Sequence, residues 1–94
     1  MAAKYRLELS PGAKRDLKRL PREVQWDIAY KHLPLIQRDP YKAGSYLVGT
    51  FKGVRSYHFG RKPEYRLLYF VEDDLVIVTV IGTREGIYRR ARRR

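Results

Sequence analysis

The chain opens on an alternation, Lys4-Tyr5-Arg6-Leu7-Glu8-Leu9, that sets Tyr5, Leu7 and Leu9 on one side and polar residues on the other. That period of two predicts a half-buried strand. Ser10-Pro11 follows, an N-cap residue and then a proline whose missing N–H costs nothing at the first helical position. The period then lengthens. Ala13, Leu17 and Leu20 recur at helical spacing, with Lys14, Arg15, Lys18 and Arg19 on the opposite side, and Pro21 ends the helix. A second helix is predicted from Arg22 or Glu23. Val24, Ile28 and Leu35, with Ala29, Leu33 and Ile36, form its apolar stripe, and Trp26 and Tyr30 lie beside it. Pro34 falls inside the stripe and predicts a kink or break there. Asp39-Pro40 closes the segment, and 41–53 is irregular, punctuated by Gly44, Gly49 and Gly53, with Tyr46-Leu47-Val48 anchoring it to the core.

From Val54 onward the period returns to two. Arg55, Tyr57 and Phe59 face one way, Ser56 and His58 the other. Gly60 to Pro63 forms a hairpin loop into the strand Tyr65–Val71. A tight Glu72-Asp73-Asp74 turn leads into the strand Leu75–Ile81, which Gly82 ends. The order is β-α-α-β-β-β. It predicts one α+β domain over residues 1–94, with two helices on one face of a twisted antiparallel sheet and a short basic tail or helix at the C-terminus.

Composition sharpens this picture. Lys and Arg number 21 against 10 Asp and Glu, a formal charge of +11, which predicts salt-dependent attraction to a polyanion. Six arginines fall in the last eleven residues. Arg66 stands inside a strand that is otherwise aromatic and aliphatic, a costly position unless the side chain faces water or a ligand. Its planar fork suits two phosphate oxygens. Cysteine is absent, which excludes disulfide and thiolate chemistry. The longest apolar run is too short for a membrane span, and Arg6 and Glu8 interrupt any leader-like start, so a soluble cytoplasmic protein without membrane contact is expected. His32 and His58 lack metal-ligand spacing, and the acidic turn explains Glu72, Asp73 and Asp74, so no metal or other cofactor is expected. His32 reads as a surface residue.

The element order, together with Leu47, Gly53-Val54-Arg55, Tyr65-Arg66-Leu67-Leu68-Tyr69-Phe70-Val71 and Ile81-Gly82-Thr83-Arg84-Glu85 with Tyr88, resembles the RelE/ParE superfamily of bacterial and archaeal toxins over nearly the whole chain. These are the toxin halves of toxin–antitoxin modules. The resemblance implies one of two activities. RelE-type toxins cleave messenger RNA in the ribosomal A site without metal, the ribose 2′-OH attacking the adjacent phosphate. ParE-type toxins act on DNA gyrase and perform no chemistry. An inactive member that binds its antitoxin and nothing else is a third possibility, because a shared fold leaves the activity open.

On the RelE reading, Arg66 and Arg84 resemble the arginines that hold the scissile phosphate, and Tyr88 the C-terminal tyrosine that stacks on a base and handles a proton. His58, with Ser56, stands where such enzymes carry lysines. Histidine titrates near neutrality and could act as general base or acid. Lys52 and Arg55 are further cations for RNA, although the stem of Arg55 could turn toward the core. Lys14, Arg15, Lys18 and Arg19 would grip the ribosomal RNA backbone without sequence choice, and Arg89 and Arg90 would add to the field around Tyr88. Either toxin reading implies an acidic antitoxin as partner, alongside messenger RNA and the ribosome for the first.

Overall fold

Ser10 begins the first helix as its position predicts: its Oγ accepts from the Ala13 N–H at 3.1 Å, and Pro11 occupies the first turn. The computed structural model describes residues 5–47 and 53–92. Their elements are β1 (Arg6–Leu9), α1 (Pro11–Lys18), α2 (Arg22–Asp27), a π-helical turn (Ile28–His32), α3 (Leu33–Arg38), α4 (Pro40–Ala43), β2 (Ser45–Tyr46), β3 (Arg55–Phe59), β4 (Tyr65–Glu72), β5 (Leu75–Thr83) and α5 (Ile87–Arg92). Five strands form one sheet in the order β1-β5-β4-β3-β2. β2 to β5 pair antiparallel. β1 runs parallel to β5, with Arg6 opposite Leu75 and Leu9 opposite Val78, so the sheet is mixed at the edge where an antiparallel one was expected. Alternation reports which side of a strand is buried and carries nothing about strand order.

One face of the sheet is covered by α1 to α4. Ala13, Ile28 and Ile36 pack there against Leu67, Tyr69, Val76, Val78 and Ile81, all fully buried. Tyr57 and Phe59 lie on this face, while Ser56 and His58 pair across to Leu68 and Arg66 on the other. That second face is not bare. Leu68 and Val80 are apolar there, and the C-terminal segment folds as α5 to cover them with Ile87.

Two short elements, α4 and β2, escaped the sequence pattern. Asp39 does not merely end the helical stretch; its carboxylate accepts from the Lys42 N–H at 3.3 Å and caps α4. The Tyr69 hydroxyl then donates to the Pro40 carbonyl at 2.6 Å, fixing α4 to the sheet. Gly44 makes this approach possible, since a Cβ there would collide with the Tyr69 hydroxyl and stand 2.9 Å from the Ser56 carbonyl.

The break expected at Pro34 takes the form of the π-helical turn just before it. Leu33 N–H reaches back to the Ile28 carbonyl, one residue further than in an α-helix. The extra residue keeps positions spaced by four on one side, so Ile28, His32 and Ile36 all point inward, while Ala29 and Leu35 are turned out. His32 is thus buried, at 6% exposure, and not the surface residue expected. Its Nδ1 shares a 2.6 Å hydrogen bond with the Tyr57 hydroxyl, and its ring stacks on Phe59 at 3.8 Å.

Burial, reinforced by the neighbouring Lys31 charge, depresses the His32 pKa from its ordinary value. The unfolded chain therefore binds this proton more readily. Stability is fully present above about pH 6.5 and falls as pH drops from there toward the folded-state pKa. Urea denaturation between pH 8 and 5 should show this loss, and the His32→Gln protein should lack that part of the slope. An identical slope in both proteins would remove His32 as its source.

Candidate functional site

The site depends on a single irregularity in β5. Val76 and Val78 face the helices, so unbroken alternation would send positions 80, 82 and 84 to that face too. Instead the pairing with β4 slips between Leu68 and Tyr69: Tyr69 stands opposite Val78, Leu68 opposite Val80, and Thr79 is the extra residue of a β-bulge. Beyond the bulge the phase is reversed. Ile81 enters the helix-side core, while Val80 lies on the side of Leu68 and Gly82 stands opposite Arg66.

Arg66 therefore sits mid-sheet with His58 opposite it on β3 and Gly82 opposite it on β5. Its Nε donates to Glu64 Oε2 at 2.6 Å, and one Nη donates to the hydroxyl of Tyr88, delivered from α5. The Arg66 guanidinium carbon stands 5.8 Å from the centroid of the Tyr88 ring. Arg84 follows directly on β5 and is exposed; its backbone N–H donates to the Glu64 carbonyl at 3.0 Å, which extends the β4–β5 ladder past the strand end. The hydrogen bond from Arg66 holds the Glu64 carboxyl below the usual carboxylate range, against some desolvation, and the charges of Arg66, Arg84 and His58 pull the same way. One acidic side chain thus lies within the electrostatic reach of all three. Arg66, Arg84, His58 and Tyr88 come together at one end of the sheet.

The other candidate cations are dispersed. Lys14, Arg15, Lys18 and Arg19 are exposed along α1, and Arg89 is exposed on α5. Arg55 lies on the helix-side face at the β2 edge. Its Nη2 donates to the Tyr41 carbonyl at 2.7 Å, and its guanidinium lies over the rings of Tyr46 and Tyr41, 4.7 and 5.4 Å from their centroids. It does not join the Arg66 cluster. Lys52 lies outside the described residues. Arg90 was expected on RNA, yet its Nη1 donates to Asp16 Oδ1 at 3.0 Å and to the Ile81 carbonyl at 3.1 Å. An arginine held by a buried carboxylate is a poor candidate for a phosphate.

Sequence reasoning missed three positions. Glu64, bonded to Arg66 and within reach of the charges of Arg84 and His58, stands at the centre of the cluster. Arg61 and Lys62, exposed in the β3–β4 hairpin, add positive charge at the same end of the sheet. A shallow open hollow beside Arg22, Glu23, Trp26 and Asp27 lies on α2, across the molecule from this chemistry.

Chemically, the cluster offers two guanidinium groups for an anion, an imidazole, and a phenol that accepts from Arg66. The sequence model described as the ParE toxin of the type II parDE toxin–antitoxin system matches residues 7–88. Among curated proteins, toxin RelG of Mycobacterium tuberculosis is 30% identical over 88 residues, 92% of this chain and 98% of that one. The structure is similar to the M. tuberculosis RelBE2 toxin–antitoxin complex, with TM-score 0.78 and 26% identity over 86% of this chain and 99% of that chain. It is also similar to an arginine-substituted Escherichia coli RelE in the free state, with TM-score 0.75 and 24% identity over 98% and 97% of the two chains.

Proposed function

The chain belongs to the RelE/ParE family of toxins, and from that membership we propose that it cleaves messenger RNA as a metal-independent endoribonuclease acting in the ribosomal A site. The observation that carries this reading is the convergence of Arg66, Arg84, His58 and Tyr88 around Glu64 on the α5 side of the sheet. In-line attack by a 2′-OH needs cations on the pentavalent phosphate, a group to take a proton and a group to return one. Arg66 and Arg84 supply the first need. His58 supplies a proton acceptor, and Tyr88 a donor for the departing 5′ oxygen. With Nε on the Glu64 carboxylate and one Nη on the Tyr88 hydroxyl, the other Nη of Arg66 is the group left to meet the phosphate.

The relatives known as complexes with a RelB protein support an antitoxin partner for this chain as well, with an acidic segment to meet its +11 charge. The exposed lysines and arginines of α1 would hold ribosomal RNA through its phosphates. A second reading is favoured by the family model itself, whose description is ParE: a gyrase inhibitor that binds protein and performs no chemistry.

Toeprinting of a translating ribosome separates the two. Cuts within the A-site codon are expected from the purified chain, with supercoiling by gyrase untouched. Intact message together with blocked supercoiling would replace this reading by the second.

A further inference from the structure

Past Leu9, β1 leaves the sheet, and among the described residues no strand lies on that side of β5, so the N–H and C=O of Ile81 have no strand partner there. Side chains take the strand's place. Asp16, from the inner side of α1 and wholly buried, accepts from the Ile81 N–H through Oδ2 at 3.0 Å. Arg90, from α5 on the opposite face, donates to the Ile81 carbonyl at 3.1 Å and to the other oxygen of Asp16 at 3.0 Å. The guanidinium reaches around the edge of β5 over Gly82, where a Cβ would come within 3.2 Å of it. Helices on the two faces of the sheet are thereby joined through one residue of β5.

This matters because α5 has six residues, too few to hold itself in place, and buries Ile87 as its one fully enclosed side chain. Tyr88 lies two positions before Arg90 on that short helix. We propose that Asp16 and Arg90 form a positioning pair that fixes α5 on the sheet and so holds Tyr88 against Arg66. The anchoring stands on geometry alone; its consequence for RNA cleavage rests on the nuclease reading above.

Amide hydrogen exchange tests the anchor. In Arg90→Ala, the α5 amides, including the Arg90 N–H bonded to the Gly86 carbonyl, should exchange at least about tenfold faster over and above any rise that the β4 and β5 amides share from the unpaired Asp16. Arg90→Lys, which retains the charge, should restore part of the protection. Should Arg90→Ala fail to fold, Gly82→Ala disturbs the same contact with both charges in place and should loosen α5 in the same selective way. Unchanged α5 exchange, or an equal rise at every amide, overturns the proposal.

Cleavage supplies the second measurement. Arg90→Ala should lower kcat by about a hundredfold with KM little changed, the scale expected of a displaced reacting group. The Arg90→Ala/Tyr88→Phe double variant should be no slower than the slower single variant, because both changes remove the same contribution. Fully additive losses would overturn the link to Tyr88. If the unaltered chain cuts no RNA, the nuclease reading falls and the exchange data still decide the anchor.

Discussion

Arg66→Ala is expected to slow A-site cutting by about two to three orders of magnitude, the loss typical when one preorganised donor to a developing anion is removed. The far-ultraviolet circular dichroism spectrum should stay unchanged. The Arg66 and Glu64 side chains keep 21% and 24% exposure, so water can take over from the ion pair and the fold should survive its loss. Arg66→Lys should recover a small part of the rate, since lysine keeps the charge and loses the fork that meets two oxygens at once. Single-turnover cleavage on programmed ribosomes gives the measurement. An Arg66→Ala protein that cuts at the original rate would end its role as phosphate ligand.

The largest effect on stability should come from Asp16→Ala. That change leaves the Ile81 N–H without its acceptor and strips Arg90 of its carboxylate. Removing one member of a buried pair costs about 3–5 kcal/mol, and the partial exposure of Arg90 argues for the lower end. A domain of this size has roughly 5–15 kcal/mol in total, so thermal unfolding should shift down by about 15 °C or more. Asp16→Asn keeps an acceptor for Ile81 and should fall between the two proteins. A loss below about 1 kcal/mol for Asp16→Ala would mean that the buried contacts are replaced by others.

Both positions bear on how much the sequence disclosed. Arg66 announced itself, because a lone cation in an apolar strand needs a physical reason. The strand pair around the acidic turn, the Ser10-Pro11 helix start and the facing of Ser56 and His58 were legible for the same kind of reason: local periodicity and turn chemistry determine them. Asp16 was harder to see. It falls three residues after Ala13 on the apolar side of α1, and a carboxylate in that stripe was the available signal for a buried acceptor. What it accepts from lies 65 residues away in sequence, beyond the reach of any local pattern.

Two further features were hidden because each adds one residue to a regular period. The π-helical turn brings His32 inward, and the bulge at Thr79 turns the end of β5 over. Read with strict alternation, Arg84 would lie on the helix side, opposite Arg66. The extra residue carries it to the cluster. The docking of α5 was unreadable for a third reason, since six residues rich in arginine lack an apolar stripe long enough to predict a packed helix.

The side-chain bonds to Ile81 have a consequence for how copies of this chain behave at high concentration. A strand that outruns its neighbour exposes a main-chain template on which a foreign strand can dock and from which fibrils can grow. At Ile81 both main-chain groups are already taken, by a carboxylate and a guanidinium, so a newcomer would have to evict both to pair there. The rim of the sheet at this point is closed to misassembly, and β1 did not have to be longer to close it.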